Sequence, residues 1–375
     1  MAYLDHNATS PLRPEARAAV ERALAVGGNP SSVHGAGRAA RALVEAARDQ
    51  VAALAGARAQ DVIFTGGGSE ANALALWGAV QGAAEAGARI TRLFVSAVEH
   101  DSILANACAI AERVPGIRLE YVPVAADGAV DLEAFRVLLR EGKGRALVAV
   151  MAANNETGVI QPLAEVARLM AEHESYLFVD AIQAAGKIDL PSAHYLTLSA
   201  HKLGGPQGIG ALVVREGAPL APLILGGGQE RGQRAGTENV AGIAGFGAAA
   251  AAATPLSSLL RDRFEAELRT VVPDAVVFGA AAPRLPNTSN FALPGIAAET
   301  AVMALDLDGV MVSSGSACSS GKVRSSHVLK AMGVSDALAA SALRVSFGWN
   351  SPEADVDAAL AAIAKLTARV ARKAA

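Results

Sequence analysis

Short apolar segments alternate with longer helical patterns between residues 61 and 214, and this alternation limits the possible folds more than any other feature. Strands are predicted at 61–65, 92–96, 117–122, 146–150, 176–180, 195–199 and 210–214, with helices near 69–86, 101–113, 131–140 and 162–173. We therefore predict an α/β fold with a mainly parallel sheet and helices on both faces. In such folds, ligands gather beyond the carboxyl ends of the strands.

The segments on either side of this region predict a division into domains. Residues 1–13 are predicted to form an N-terminal arm, after which Pro14 opens a helix to about Val26 and a second helix reaches about Leu54. Beyond Thr254-Pro255, the pattern predicts a helix to about 271, short strands around 276–278, 287–292, 310–312 and 343–347, and helices at about 298–306, 326–332 and 353–372. We predict a large domain over 14–254 and a smaller α+β domain over 255–375, as expected for a chain of 375 residues.

Composition excludes several classes of partner. A net charge of −3 gives no electrostatic reason to expect nucleic acid or an anionic membrane as a partner. The chain starts with a polar segment that predicts no signal peptide, and the Ala/Gly-rich stretch 242–253 is too short to span a bilayer. Two cysteines are too few for a disulfide framework, which favours a cytoplasmic setting, and the seven histidines show no metal-ligand spacing, so no metal site is predicted.

Lys202 lies where the predicted strand 195–199 meets a Gly/Pro-rich bend. A lysine before Gly-Gly-Pro is usually an exposed loop charge, but Asp180 closes another apolar strand 22 residues earlier. A lysine that can form a Schiff base and an acid that can pair with a pyridinium nitrogen are the recurrent protein contribution to pyridoxal phosphate chemistry. The pair therefore favours pyridoxal phosphate as the cofactor.

The turn Gly66-Gly-Gly-Ser69 joins a predicted strand to a predicted helix. Free backbone N–H groups and the helix dipole at such a turn form a phosphate site, to which Ser69 adds a donor. The turn lacks both the Gly-x-Gly-x-x-Gly spacing of dinucleotide folds and the Gly-Lys-Ser/Thr ending of a P-loop. A cofactor with a single phosphate fits better.

Other polar residues near strand ends have two possible roles. His100 precedes a predicted helix, so it either caps that helix or stacks on a planar cofactor ring and moves protons. Asn29 is a turn residue or a ligand-binding residue, and Gln183 lies close enough to Asp180 to reach the same ring. Arg344 is a charge within an apolar strand, where it needs a partner such as a substrate carboxylate.

The two cysteines differ in their surroundings. Cys108 lies in an apolar helical pattern that indicates packing, whereas Cys318 lies among small residues in Ser313-Ser-Gly-Ser-Ala-Cys-Ser-Ser-Gly-Lys322. This composition predicts an exposed, mobile and nucleophilic thiol. Such a loop could carry the thiol into a site and back out.

Eight motifs in register resemble those of the cysteine desulfurases of the NifS/IscS group, within the class V aminotransferases. They are Tyr3-Leu-Asp-His-Asn-Ala-Thr, Gly28-Asn-Pro-Ser-Ser-Val-His34, Glu99-His100, Asn154-Asn-Glu-Thr-Gly158, Asp180-Ala-Ile-Gln183, Ser199-Ala-His-Lys202, Arg234-Ala-Gly-Thr237 and Ser313-Ser-Gly-Ser-Ala-Cys318. The resemblance covers essentially the whole chain and implies the fold of the fold type I pyridoxal phosphate enzymes.

The resemblance also implies a role for each matched residue. Lys202 would bind the cofactor covalently and move the substrate's α proton, Asp180 would hold the pyridinium, and Cys318 would take the sulfur. The other implied contacts are stacking by His100, a bond from Gln183 to the phenolic oxygen, phosphate contacts from Gly68, Ser69, Ser199, His201 and the other subunit's Thr237, and substrate contacts from Asn155, Arg344 and Asn29.

The implied reaction converts L-cysteine to L-alanine and leaves a persulfide on Cys318 of a homodimeric enzyme. The sulfur would go to an acceptor or an iron–sulfur scaffold protein. A selenocysteine lyase or another class V aminotransferase is the alternative within the same family, and it needs no flexible cysteine. A non-catalytic sulfur-trafficking protein is less consistent with the intact set of Lys202, Asp180, His100 and Cys318.

Overall fold

The computed structural model describes residues 1–314 and 326–374. The strands are β1 (Ala2–Tyr3), β2 (Val62–Thr65), β3 (Ile90–Ser96), β4 (Arg118–Val122), β5 (Arg145–Ala149), β6 (Tyr176–Asp180), β7 (Tyr195–Ser199), β8 (Gly210–Val214), β9 (Val276–Val277), β10 (Thr288–Ala292), β11 (Val310–Met311), β12 (Ser313–Ser314) and β13 (Ala342–Ser346). The helices are α1 (Pro14–Val26), α2 (Gly35–Leu54), α3 (Gly68–Glu85), α4 (Asp101–Arg113), α5 (Leu132–Arg140), α6 (Leu163–Glu172), α7 (Val240–Ala252), α8 (Leu259–Val271), α9 (Ala298–Leu307), α10 (His327–Ala331), α11 (Asp336–Ala339) and α12 (Ala354–Ala374).

The central sheet has seven strands in the order β2-β8-β7-β6-β5-β3-β4. The pairs β4–β3, β3–β5, β5–β6 and β6–β7 are parallel, while β8 is antiparallel to both β7 and β2. Residues 200–209 connect β7 to β8, and this connection is shorter than the dozen residues that a parallel crossover needs. The predicted α/β fold with a mainly parallel sheet is confirmed.

Successive residues of the central strands face opposite sides of the sheet, because side chains alternate along a strand. Phe94 and Val148 belong to the apolar cluster that contains residues of α2, α5, α6 and α7. Their neighbours Leu93 and Leu147 belong to the cluster on the other face, with residues of α3 and α4. Both faces of the sheet are therefore covered, which explains why the central strands read as nearly continuous apolar runs.

A second sheet, in the order β12-β13-β10-β9, is antiparallel and lies in the C-terminal part of the chain. Its core includes Phe264 from α8, Leu305 from α9 and Ile363 from α12. Leu4, from the predicted N-terminal arm, is fully buried in the same core, and β1 pairs in parallel with β11. The first residues of the chain thus contact its last third and then lead back toward the central sheet. Within the described residues, no helix combines the length and apolarity needed to cross a membrane.

Candidate functional site

A cleft of about 300 Å³ lies at the carboxyl ends of β3, β5, β6 and β7. It is lined by Asn7, Ala8, Gly68, Ser69, His100, Ser102, Met151, Ala153, Asn155, Asp180, Ile182, Gln183, Ser199, His201, Lys202 and Arg344. Ten residues that the sequence singled out are therefore brought to one site: Gly68, Ser69, His100, Asn155, Asp180, Gln183, Ser199, His201, Lys202 and Arg344. The amine of Lys202 and the acid of Asp180 share a single cleft.

Lys202 ends a single helical turn, Ala200–Lys202, that follows β7 directly. Its side chain is half-buried, and Nζ donates to the backbone carbonyls of Asn7 at 2.6 Å and Ala8 at 2.7 Å. The interpretation as an exposed loop charge is therefore wrong. The N-terminal arm supplies the carbonyls that hold the amine at the cleft.

Asp180 is the last residue of β6 and is buried. Its Oδ1 accepts from the backbone N–H of Ile182 at 2.9 Å, and its Oδ2 accepts from Asn72 Nδ2 at 3.0 Å. Burial raises the pKa of Asp180, although these hydrogen bonds and the electrostatic interactions with His100 and Lys202 oppose the rise. A cationic ring nitrogen in the cleft would stabilise the ionised form.

The amino end of α3 forms a cradle beside these groups. Gly67 precedes the helix at φ +146° and provides no side-chain cap, so the first N–H groups of the helix are available to an anion. A Cβ on Gly68 would meet the tip of the Ile182 side chain, which would have to shift, and would lie 3.3 Å from Ser199 Cβ, so glycine keeps the cradle open. Burial, with Lys202 as a second cause, lowers the pKa of His201 to about 4. Its ring is therefore neutral and can donate to a phosphate oxygen.

His100 both caps a helix and lines the cleft, so both interpretations of this residue describe its position. It is the N-cap of α4, where Nδ1 accepts from the backbone N–H of Ser102 at 3.1 Å. Because Nδ1 is an acceptor there, the proton of the neutral ring is on Nε2. The cap fixes the plane of a half-buried imidazole at the edge of the cleft.

Arg344 is buried in β13, and its charge has a partner that the sequence did not indicate. Nη2 lies 2.6 Å from Asp5 Oδ1, and Nη1 donates to the carbonyl of Asn155 at 3.0 Å. Among the residues that the structure describes, Nε has no hydrogen-bond partner and is shielded from solvent. Asp5 thus occupies part of the guanidinium fork that was predicted for a substrate carboxylate.

The structure does not bring every predicted site residue to the cleft. Asn29 is exposed outside it, and its Oδ1 accepts from the backbone N–H of Ser31 at 2.9 Å, as a turn asparagine does. Thr237 is also exposed outside the cleft of this single chain. Cys318 lies outside the described residues.

Described residues on both sides of the Cys318 segment contact cleft residues or their neighbours. Ser313 in β12 is paired with Arg344 in β13. Ser326, the N-cap of α10, donates to Glu156 Oε2 at 2.6 Å, and Glu156 follows Asn155. The two described flanks of residues 315–325 therefore lie close to the cleft.

Sequence reasoning missed three polar residues that support the site. Asn72 holds Asp180 from α3, Asn7 contacts Lys202 and Gln183, and Lys187 donates to Gln183. Asn72 lies three residues after Ser69, so the helical repeat places it beside the cradle, and this spacing could have identified it. Asn7 lies within the motif Tyr3-Leu-Asp-His-Asn-Ala-Thr but was given no role, and no local pattern marks Lys187.

Comparison with known proteins now identifies the family. The profile of the family "Aminotransferase class-V" matches residues 2–359. An IscS-like cysteine desulfurase of Mycobacterium tuberculosis is 41% identical over 389 aligned residues, which cover 100% of this chain and 98% of that protein. The chain belongs to the cysteine desulfurases of the class-V aminotransferase family. A cysteine desulfurase of Cereibacter sphaeroides is 44% identical and covers 95% of this chain and 92% of its own length.

Solved structures agree with this assignment. A NifS-like protein from Rickettsia africae superposes with a TM-score of 0.86 at 32% identity, covering 98% of this chain and 99% of that one. A structure described as SspA in complex with cysteine gives a TM-score of 0.81 at 29% identity, covering 92% of this chain and 99% of that one. The resemblance that the eight motifs predicted is confirmed.

Proposed function

We propose that this cysteine desulfurase uses pyridoxal phosphate to convert L-cysteine to L-alanine and keeps the sulfur as a persulfide on Cys318. The observation that carries the proposal is the shared cleft of Lys202, Asp180 and the glycine cradle of α3. These three groups lie at the carboxyl edge of the central sheet. The amine matches the aldehyde of that cofactor, the buried acid matches its ring nitrogen, and the anion site matches its phosphate.

The residues of the cleft fit the cofactor chemically. The cradle at Gly68 and Ser69, with Ser199 and His201, holds the phosphate, while Asp180 pairs with the ring nitrogen. Gln183 donates to the phenolic oxygen, and His100 stacks on the ring. When bound, the cofactor supplies an electron sink for the carbon that bears the substrate's amino group.

Three residues of the cleft handle the substrate itself. Lys202 moves the proton at the α carbon, since its amine lies in the cleft with Asp180. Arg344 and Asn155, which both line the cleft, hold the substrate carboxylate, and Arg344 keeps its pair with Asp5. We retain Asn29 as a weaker candidate for the same group, because this chain places it outside the cleft.

Cys318 performs the sulfur transfer, an assignment that rests on the sequence alone. Its thiolate attacks the substrate sulfur, so an S–S bond forms while the substrate's Cβ–S bond breaks. The electron pair of the broken bond stays on carbon, which takes up a proton to give alanine. L-cysteine and one thiol thus yield L-alanine and one persulfide without an external oxidant or reductant.

A homodimer completes the phosphate site in this proposal, with Thr237 reaching the cleft of the partner subunit. Leu223, Ile224 and Leu225 are 40%, 41% and 80% exposed, which is unusual for consecutive large apolar residues. The backbone N–H of Ala235 donates to the carbonyl of Ile224 at 3.0 Å, so this apolar segment lies beside the Thr237 loop. A second copy of the chain would cover both.

The sulfur acceptor is a separate protein in this proposal, such as an iron–sulfur scaffold. The persulfide must leave the cleft to reach it, which the mobile loop predicted from the sequence around Cys318 would permit. Two cysteines in 375 residues, with no framework of disulfides, favour a cytoplasmic location.

Two substitutions test the reaction. Lys202→Ala is expected to abolish the visible absorbance of the bound cofactor, because the covalent link to the protein is lost; retention of that band would refute the assignment of Lys202. Cys318→Ser is expected to keep the colour but to lose sulfide release from L-cysteine, while Cys108→Ser should keep both. Full sulfide release from Cys318→Ser would instead indicate a class V lyase that needs no cysteine.

A further inference from the structure

Lys187 is a second buried lysine near the cleft, and the reaction described above gives it no role. Only 6% of its surface is exposed. Its Nζ donates to Gln183 Oε1 at 3.0 Å and to Asn7 Oδ1 at 3.1 Å, and both acceptors are neutral amides rather than carboxylates. A buried amine without a carboxylate contact is costly, which calls for a physical explanation.

The charge of Lys187 is disfavoured where it lies. Burial is the largest cause that lowers its pKa to about 7, and the positive charges of Lys202 and Arg344 add to it. The amine donates hydrogen bonds in both its protonated and neutral forms. Its contacts to Gln183 and Asn7 therefore persist on both sides of pH 7.

These contacts fix the orientation of the Gln183 amide. An ammonium has no acceptor, so Oε1 of Gln183 must face Lys187. Nε2 donates to the carbonyl of Asn7 at 2.9 Å, which demands the same orientation. Gln183 lines the cleft, so the second Nε2–H is the polar group that it can offer to a ligand there.

Asn7 connects Lys187 to the reactive lysine. Its side-chain oxygen accepts from Lys187, and its backbone carbonyl accepts from Lys202 Nζ at 2.6 Å. Its Nδ2 donates to the carbonyl of Asn155 at 3.2 Å and to Thr288 Oγ1 at 2.8 Å. Lys187 thus helps to hold a residue that positions the amine of Lys202.

We infer that Lys187 is a positioning residue that fixes Gln183 as a hydrogen-bond donor toward the cleft and holds Asn7 behind Lys202. The inference rests on the proposed function, since the ligand that receives the Gln183 hydrogen bond is the phenolic oxygen of the cofactor. It assigns Lys187 no contact with cofactor or substrate.

Lys187→Met removes the donor and keeps an unbranched side chain that is one atom shorter. We expect the cofactor dissociation constant to rise about tenfold or more, because Gln183 Oε1 loses its donor and Asn7 Oδ1 keeps only the hydrogen bond from Asn287 Nδ2 at 3.2 Å. The cofactor is first removed from the purified enzyme. Titration of this apoenzyme with pyridoxal phosphate at pH 6.5 and pH 8.5, monitored by visible absorbance, measures the change. The exposed Lys143 provides the matched control, Lys143→Met, which should bind as the wild type does.

The outcomes separate this inference from the proposed function. If the wild type does not bind the cofactor, the proposed function fails. If the wild type binds it and Lys187→Met binds equally well, the positioning role is refuted while the function stands. A defect confined to pH 6.5 would also refute it, because charge rather than hydrogen bonding would then be responsible.

A second variant retains Lys187, so it tests the inference even if Lys187→Met does not fold. Gln183→Glu keeps an acceptor for the amine of Lys187 but removes the Nε2 donor that Gln183 offers to Asn7 and to the cleft. The cofactor should bind about tenfold or more weakly, since an acceptor replaces the donor that faced the phenolic oxygen. Wild-type affinity in this variant would overturn the inferred orientation.

Discussion

Buried charges in this protein differ between the region where α2 meets β2 and the surroundings of the cleft. In the first region, Arg48 and Glu230 form a bidentate interior pair, with 2.7 Å from Nη1 to Oε2 and 3.0 Å from Nη2 to Oε1. Asp180 lines the cleft, and Glu99 and Lys187 lie beside residues that line it; all three are buried but have neutral hydrogen-bond partners. The interior pair compensates its own charges, whereas burial of the other three groups favours their neutral forms.

The pKa directions follow this difference. Burial raises the pKa of Glu99 to about 8, despite hydrogen bonds from Ser96 and Met151, and burial lowers that of Lys187 to about 7. Both shifts favour the neutral form. Burial also disfavours the charge of Arg48, but the hydrogen bonds and the charge of Glu230 raise its pKa overall. The paired Arg48 thus keeps its charge, while burial favours the neutral forms of Glu99 and Lys187.

The largest expected effect is on the interior pair. Arg48→Met should reduce the free energy of unfolding by about 3–5 kcal/mol, because it leaves the Glu230 carboxylate buried without its partner. Urea denaturation measures the change. The exposed pair of Arg168 and Glu172 supplies the control, and Arg168→Ala should cost no more than about 0.5 kcal/mol.

A double variant sharpens this prediction. Glu230 also accepts from the backbone N–H of Phe64 at 3.0 Å, so Glu230→Gln keeps an acceptor for that group. Adding it to Arg48→Met should restore part of the lost stability, since no buried charge remains. If Arg48→Met alone were as stable as the wild type, the contrast between interior and cleft charges would be wrong.

The next effect should appear at Asp180. Asp180→Asn is expected to reduce desulfurase activity about 100-fold or more, an effect of the size seen when one preorganised charge is removed from an active site. The stability of the cofactor-free protein should fall by no more than about 1–2 kcal/mol, because the cost of a buried carboxylate is removed while one of its two hydrogen bonds, from Ile182 or Asn72, is lost. Sulfide release and urea denaturation provide the two readouts.

Asp306 is exposed on α9, so Asp306→Asn is a matched control that should change neither activity nor stability. A cofactor-free Asp180→Asn protein that is several kcal/mol less stable than the wild type would show that this carboxylate acts as a structural charge, as Glu230 does.

The smallest effect is a change in pH dependence at Glu99. The folded protein holds the Glu99 proton up to about pH 8, whereas an unfolded chain loses it near the ordinary pKa of 4.5. The contribution of Glu99 to stability is therefore lost as pH rises through this window, by about 1–2 kcal/mol between pH 6 and pH 8. Glu99→Gln cannot lose a proton and should be less dependent on pH.

Urea midpoints of the cofactor-free wild type and of Glu99→Gln, measured at pH 6, 7 and 8, test whether stability falls with rising pH as predicted. The two curves should diverge steadily as pH rises from 6 to 8, because the wild type loses stability over this range and the variant does not. Parallel curves would mean that the proton of Glu99 does not distinguish the folded from the unfolded state.

Local patterns were enough to predict most of the fold and the principal cleft residues. Strands such as β6 and β7 were predicted at their observed bounds because alternating or continuous apolar runs end at Asp180 and Ser199. The short helix α11 was missed, since four residues carry too little periodicity. The domain limits and the roles of the individual site residues remain predictions.

The partners of the site residues could not be predicted, as Arg344 illustrates. The sequence indicated that this buried guanidinium needs an acceptor, and a substrate carboxylate was one candidate. The structure supplies Asp5, which lies 339 positions away along the chain. No periodic pattern links two residues at that separation.

The sequence by itself determined the α/β alternation, the family motifs and the placement of Asp180 and Lys202 at strand ends, because these depend on local periodicity and turn chemistry. Only the tertiary structure decided which groups surround them. The N-terminal arm returns to the central sheet, so that Asn7 contacts Lys202 across 195 positions of sequence and also receives a hydrogen bond from Lys187. Such contacts follow from the packing of distant segments around a common core, which no single stretch of sequence encodes.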